Sequence, residues 1–263
     1  MFRASLLIAI AVMSFGAFAG CAADPTPTPV PTATPTATPA ATPSPTPTAA
    51  STATPTLAIP IVPNAVTVML IPVQDATIWE GGGATASGSG PNLFAGRNNR
   101  GQVRRALLRF DLAEVPVGVT VLFASLEMST NKTPSTGVTA PMSLHRLTAS
   151  WGEGASNAGS SGAGTSATTG DVTWDWRTFE GDRWAAGASG GDFLPLASVK
   201  TVQGRWDSTD ALVEDVQAWV DDASANHGWI IVGDERTNQS VRRFDSREGG
   251  IAPVLTIAYV PTR

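Results

Sequence analysis

The sequence predicts an all-β fold, an antiparallel two-sheet sandwich that carries one short helix. From Val66 onward, apolar and polar residues alternate with a period of two in several segments, as they do in strands with one buried face. The 263-residue chain contains 26 Gly and 20 Pro, which suits many turns. The region with this pattern, about 200 residues, is long enough to bury a large core.

The clearest strand lies at residues 105–110. Leu108 and Phe110 are expected to face the core, whereas Arg105 and Arg109 are expected to share the opposite face. The other strand candidates are residues 65–71, 122–128, 143–148, 229–232, 241–244 and 255–259. In the segment 122–128, the alternating apolar residues expected to face inward are Leu122, Ala124, Leu126 and Met128.

Residues 209–222 break the alternation and predict the single helix. Leu212, Val216 and Trp219 recur with helical spacing, and Ser208 or Thr209 can cap the N-terminus. We expect this helix to close one end of the sandwich, with Trp219 as its core anchor. A Gly/Ser/Ala/Thr-rich stretch at 152–170 is too long for a routine hairpin. It is interpreted as a mobile flap or, preferably, as a tolerated surface insertion.

Residues 1–20 have the features of a lipoprotein signal peptide. Arg3 precedes an apolar run at 6–18, and the small residues Ala19 and Gly20 stand directly before Cys21. The segment 18–21 resembles a bacterial lipobox, which implies that Cys21 is lipidated after export. The alternative is ordinary secretion, with Cys21 as an incidental residue.

Residues 21–63 form a predicted stalk. Thr-Pro and Ala-Thr-Pro repeat between residues 24 and 56, with almost nothing apolar to bury. We expect a disordered, extended linker that holds residues 64–263 away from the envelope. The chain is therefore expected at the bacterial cell surface or outside the cell, and attached to the membrane only through its lipid.

Composition and motifs disfavour several classes of function. The formal net charge is −5, which argues against a general nucleic-acid binder. His145 and His227 stand apart from any nucleophile motif, and Tyr259 is expected in the core. We therefore expect no enzyme activity, with a cryptic polysaccharide lyase as the least favoured alternative.

Arginines and tryptophans are the best binding candidates. Arginine matches carboxylate and sulfate oxygens with a planar fork, and flat aromatic rings stack on sugar faces. The selected ligand-binding residues are Arg97, Arg105, Arg109, Arg243, Trp176 and Trp184. Two alternatives stay open: the arginines pair internally with Asp111, Asp245 and Glu248, and the tryptophans, Trp174 above all, plug the end of the sandwich.

No cofactor is expected, apart from a structural calcium ion as a weak possibility. Asp75 and Asn92 could supply oxygen ligands to it, although no calcium-binding loop motif is present.

Several segments resemble DNRLRE domains in their order and spacing, over residues 66–260. These segments are 105–112 (RALLRFDL), 124–126 (ASL), 145–147 (HRL), 151–153 (WGE), 216–220 (VQAWV), 226–229 (NHGW) and 243–248 (RFDSRE). DNRLRE domains are similar to the family 96 carbohydrate-binding modules. The resemblance implies a jelly-roll-like sandwich that binds polysaccharide, with an acidic glycan favoured. A structural or adhesive domain that binds another protein is the alternative, and a monomer is expected.

Overall fold

The computed structural model describes residues 62–262, except 82, 135–139, 186, 188 and 189. The predicted signal peptide, Cys21 and nearly all of the predicted stalk lie outside the described residues. Within the described part of the chain, no helix is long and apolar enough to cross a membrane.

Fourteen strands and one α-helix make up the regular structure of the described residues. In chain order they are β1 (Val66–Leu70), β2 (Pro72–Trp79), β3 (Thr85–Ser87), β4 (Asn92–Arg97), β5 (Val103–Phe110), β6 (Val119–Glu127), β7 (Thr130–Lys132), β8 (Met142–Arg146), β9 (Thr165–Ser166), β10 (Val199–Thr201), β11 (Arg205–Trp206), α1 (Asp210–Asp221), β12 (Trp229–Val232), β13 (Arg242–Asp245) and β14 (Val254–Pro261). A 3₁₀ turn at Ala223–Ala225 follows α1.

Two antiparallel sheets enclose the main core, so the predicted all-β sandwich is confirmed. The small sheet has the strand order β1-β14-β6-β11, and the central path of the large sheet is β10-β8-β12-β5-β2-β3-β9. Strand β4 pairs with the N-terminal end of β5, and strands β4, β13 and β7 continue from there as a three-stranded ribbon. Leu108 and Phe110 of the large sheet and Leu126 and Ile257 of the small sheet meet in this core.

Strand β6 contains a β-bulge that changes its inward-facing residues. Ala258 lies opposite Phe123, but Tyr259 lies opposite Val121, so Leu122 is the extra residue. Val121 and Ala124 therefore both enter the core. The expectation that Leu122 faces inward is wrong for this reason, and its side chain is only half-buried.

The predicted helix is present, and the hydroxyl of Thr209 caps it by accepting a hydrogen bond from the Leu212 N–H at 3.1 Å. Ser208 is bonded to β6 instead, because its hydroxyl accepts a hydrogen bond from the Ala124 N–H at 3.2 Å. Trp219 is 1% exposed, and its ring centroid lies 4.4 Å from that of Trp229. The helix is thus anchored in the main core as expected.

The described residues between 147 and 198 form a covering layer, mostly of loops, over the outer face of the large sheet. Trp151, Trp174 and Trp184 of this layer pack in a second core against Leu107 and Ile230 of the sheet. The stretch at 152–170 belongs to this layer and lies mostly at the surface, with Ser156 buried, so its predicted position at the surface is correct. The expectation that Trp174 plugs the sandwich end is wrong, since Trp174 packs on a sheet face.

Asp171 holds the covering layer in its conformation. This fully buried carboxylate accepts hydrogen bonds from the backbone N–H of Ala155 at 2.9 Å and of Thr168 at 2.6 Å, and from the hydroxyl of Ser156. Gly154 has a φ of +71°, and a Cβ there would lie 1.6 Å from the Asp171 carboxylate. Only glycine fits this close approach.

Candidate functional site

A cavity of about 840 Å³ lies where the ends of β2 and β5 meet the β4-β13-β7 ribbon. Gly162 and Ala163 of the covering layer complete its wall. The cavity thus exists only because three separate parts of the chain converge, and it is the natural candidate for a binding site.

The lining of the cavity is strongly cationic. Arg100, Arg104, Lys132 and Arg243 contribute four positive charges, and Glu80 is the single carboxylate among the lining residues. None of the four cations forms a salt bridge within the described part of the chain. Since the whole chain carries a net charge of −5, this excess of positive charge is a local property of the cavity.

Arg104 is the most buried of the four cations, with 7% exposure. Its Nε donates a hydrogen bond to the Gly162 carbonyl at 2.8 Å, and the Trp79 indole donates to the same carbonyl at 3.1 Å. Within the described residues, the two terminal nitrogens of Arg104 have no hydrogen-bond partner. Burial without a counter-charge lowers the pKa of Arg104 below its ordinary value.

Two further cations lie side by side on the ribbon. Arg243 of β13 pairs directly with Lys132 of β7 and, on its other side, with Phe94 of β4. Its Nε donates to the Asn131 side chain. Like charges opposite one another destabilise a sheet, so this arrangement favours an anion at the cavity.

A tight hairpin turn holds the fourth cation. The Asn98 side-chain oxygen accepts hydrogen bonds from the N–H groups of Arg100 and Gln102, both at 2.9 Å. The Asn98 N–H also donates to the Gln102 carbonyl at 2.9 Å. The backbone of Arg100 is therefore fixed, while its side chain stays exposed at the cavity.

Aromatic rings supply the apolar part of the lining. The ring centroids of Trp79 and Phe94 lie 6.5 Å apart with the rings tilted by 51°, and both residues are largely buried. The cavity thus combines an apolar wall with cationic groups, as sites for charged organic ligands do.

Two of the predicted arginines lie at or beside this cavity. Arg243 lines it directly. Arg97 is adjacent in β4, but its guanidinium donates to the Asn238 side chain at 3.0 Å and to the Glu235 carbonyl at 2.9 Å.

The other two predicted arginines lie on the opposite face of β5. Arg105 is 8% exposed beneath the covering layer and forms a two-point ion pair with Glu235, at 2.6 and 3.0 Å. Arg109 donates to the Gln74 side chain at 2.6 Å. The internal-pairing alternative therefore describes Arg105, although its partner is Glu235 rather than one of the predicted acids.

The predicted tryptophans lie outside the cavity. Trp184 is 2% exposed in the second core, and its indole donates to the Thr173 carbonyl at 3.0 Å. Trp176 is half-buried, and the Arg183 guanidinium lies 4.0 Å from its ring centroid. One aromatic candidate is thus a core residue, and the other is already stacked by a cation.

The two predicted calcium ligands belong to different hydrogen-bond networks. A carboxylate oxygen of Asp75 accepts from the Arg247 N–H at 2.8 Å, and the Asn92 side chain accepts from Asn131 at 3.0 Å. No group of three or more His, Cys, Asp or Glu able to hold a metal ion occurs among the described residues.

Arg247 organises a cluster of three carboxylates. It donates to Glu248 at 2.6 Å and to Glu153 at 2.7 Å, while Asp75 accepts its backbone N–H. Burial raises the pKa of Asp75 to about 7 and also raises the pKa of Glu153. This cluster joins β2, the covering layer and the loop before β14.

The two histidines and the tyrosine lie away from the cavity. His145 Nδ1 is 2.9 Å from the Leu194 carbonyl oxygen, and burial lowers the pKa of both His145 and His227. Tyr259 is 6% exposed in the main core.

Sequence reasoning did not select Arg104, Arg100, Lys132, Trp79 or Phe94. For Arg104 a signal was available, because it stands among the closely spaced arginines 97, 100, 105 and 109 and lies two and four residues from Ala106 and Leu108, on the same face of the strand. The other four residues come from segments that are distant in the sequence, and no local sequence pattern indicates that they meet at one cavity. No protein-family model and no curated protein matches the sequence. The functional argument therefore rests on this geometry.

Proposed function

We propose that residues 64–263 form a non-catalytic module that binds an acidic polysaccharide in the cationic cavity. One observation carries this proposal: four cations that form no salt bridge with any described residue line a cavity of about 840 Å³ in a chain of net charge −5. Concentrated positive charge with an apolar wall suits a ligand that is both anionic and built of rings.

The chemistry of uronic acids and sulfated sugars fits both kinds of lining residue. Their carboxylate or sulfate groups can accept hydrogen bonds from Arg243 and Arg104, and their C–H faces can contact Trp79 or Phe94. The cavity volume lies within the usual range for small-ligand sites, on the order of 300–1,000 Å³. A short segment of a glycan chain is the appropriate size of ligand.

The resemblance to DNRLRE domains and family 96 carbohydrate-binding modules supports the same proposal from the sequence side. Together with the predicted lipid anchor at Cys21 and the stalk at 21–63, it suggests a monomer tethered at the bacterial surface that holds the cell, or an enzyme, at a polysaccharide. Labelling with radioactive palmitate tests the anchor, and an unlabelled mature protein would contradict it.

The binding proposal is tested by affinity electrophoresis of the full-length protein in gels that contain alginate, polygalacturonate or a neutral glucan. We expect retardation by at least one acidic glycan only, and less retardation at high salt. Arg243→Gln should weaken binding by about tenfold, because a charge-assisted hydrogen bond is lost. Arg205→Gln is the matched control, since Arg205 on β11 lies outside the cavity lining and pairs with Asp207.

Three outcomes would contradict the proposal. If no acidic glycan retards the protein, the cavity does not serve polysaccharide binding, and a pull-down that recovers protein partners would then favour the adhesive alternative. If absorbance from unsaturated uronates appears during incubation, the protein is a lyase. If Trp176→Ala abolishes retardation while Arg243→Gln does not, the binding surface lies on the covering layer.

A further inference from the structure

We infer that Arg104 binds an oxyanion substituent of the glycan, a carboxylate or a sulfate, and thereby makes the cavity selective for charged over neutral sugars. This inference rests on the proposed function, and it assigns the discrimination to a single residue at the buried side of the cavity.

The fold places Arg104 at a fixed position. It shares a face of β5 with Ala106 and Leu108, which enter the main core, and it lies just beyond the last core residue of that face. It pairs with Trp79 of β2 on one side and with Gly96 of β4 on the other. Arg104 is therefore held in the large sheet at the point where the ribbon leaves it, beside the cavity.

Only one of the five N–H donors of Arg104 is used by the protein. Its Nε donates to Gly162, whereas the terminal nitrogens have no partner within the described residues, although Arg104 is only 7% exposed. The terminal nitrogens are not among the described side-chain atoms that are fully buried without a partner, so water or a ligand can reach them. The remaining donors line the cavity, so a ligand there can satisfy them.

The surrounding charges require that this ligand be an anion. Arg100, Lys132 and Arg243 line the same cavity, and Glu80 is the single carboxylate of the lining. Glu80 is itself engaged, because one of its oxygens accepts the Val103 N–H at 2.9 Å. A group with two oxygens in one plane matches the two terminal nitrogens of a guanidinium best.

The contact with Gly162 prepares Arg104 for such a ligand. The Gly162 carbonyl accepts hydrogen bonds from both Arg104 and Trp79, and this fixes the guanidinium before any ligand arrives. A fixed donor fork loses little conformational freedom on binding, which favours both affinity and discrimination.

Isothermal titration calorimetry of the full-length protein tests the inference with three probes: an oligogalacturonate, its fully methyl-esterified form and a sulfated oligosaccharide. The ester keeps the sugar rings but lacks the charge. Wild-type protein should prefer a charged probe over the ester by about 10- to 100-fold. Arg104→Gln should bind the charged probe as weakly as the ester, and Arg104→Lys should retain an intermediate preference because its charge remains but its fork is lost.

The outcomes separate this inference from the proposed function. If Arg104→Gln loses affinity but keeps the full preference for the charged probe, Arg104 is not the selective residue, while the binding function stands. If wild-type protein binds none of the probes, both fail. If Arg104→Gln does not fold, an unchanged preference in Arg104→Lys overturns the inference, and a reduced preference supports it. Preference for the sulfated probe alone identifies the oxyanion as sulfate.

Discussion

Arg104 and Arg105 are neighbours in the same strand and are almost equally buried, at 7% and 8% exposure, yet their surroundings are opposite. Arg105 forms a two-point ion pair with Glu235, donates to the Gly190 carbonyl at 2.8 Å and lies 4.8 Å from the centroid of the Trp174 ring. Arg104 has one hydrogen bond to a backbone carbonyl and no carboxylate partner within the described residues.

This difference separates arginines that fasten the scaffold from arginines that are candidates for binding. Burial alone does not distinguish them, and neither does their position in the sequence. What differs is whether the fold supplies a counter-charge: Arg105 fastens the covering layer to the sheet, whereas Arg104 leaves its charge unmatched at a cavity. Arg247 is the opposite extreme, since three carboxylates, Asp75, Glu153 and Glu248, surround this single cation.

The largest expected effect is a dependence of the free energy of unfolding on pH, and it arises from Asp75 in the carboxylate cluster around Arg247. Burial raises the pKa of folded Asp75 to about 7, above its value of 3.8 in the unfolded chain. The folded state therefore holds a proton that the unfolded state releases. The stability contributed by Asp75 is fully present below about pH 4, and up to about 4 kcal/mol is lost as the pH rises through 7.

Asp75→Asn isolates this effect, because the amide cannot ionise but can still accept the Arg247 N–H. Urea unfolding at pH 4 to 8 should give similar stabilities for both proteins near pH 4, with the variant increasingly more stable than wild type up to about pH 7 and by a constant margin above it. The difference between the two proteins is the relevant quantity, since the lowered pKa values of His145 and His227 give wild type and variant the same opposing slope. A constant difference across this pH range would show that Asp75 does not titrate there.

The next largest effect is the loss of stability expected when Arg105, the arginine with a carboxylate partner, is replaced. Arg105→Met leaves the Glu235 carboxylate without its partner and removes the donor to Gly190. Breaking one side of a buried ion pair costs about 3–5 kcal/mol, and the quarter exposure of Glu235 reduces this to about 2–3 kcal/mol. Denaturant unfolding measures it, and the double variant with Glu235→Gln should recover part of the loss. Additive losses would indicate that the two side chains act independently.

The smallest effect on stability is expected when Arg104, which has no carboxylate partner within the described residues, is replaced. Arg104→Met removes a buried charge that has no protein partner, so the cost of losing the Gly162 hydrogen bond is offset by the relief of burial. The free energy of unfolding should change by less than about 1 kcal/mol in either direction. Because both variants replace an arginine by methionine, the same denaturant experiment compares Arg104→Met directly with Arg105→Met. A loss as large as that of Arg105→Met would place Arg104 among the scaffold residues.

Most of the fold was predictable because strand and helix patterns are local. Alternation located the strands that contain Leu108, Leu126 and Ile257, and helical spacing located α1 with Ser208 or Thr209 as its cap, of which the structure uses Thr209. The bulge at Leu122 was not predictable, because one extra residue is defined only against its partner strand. The low complexity of 152–170 concealed an ordered layer, since Asp171 organises it through contacts that composition does not record.

The sequence by itself determined the β-rich fold class, the helix that contains Trp219 and the local excess of arginine. Only the tertiary structure decided which arginines carry counter-charges. Residues as distant as Glu235 and Arg105 become partners because the sheets bring them together, whereas Arg104, Lys132 and Arg243 converge on one cavity and form no salt bridge within the described residues. Charge pairing is a property of distances across the folded chain, and no local pattern of residues contains those distances.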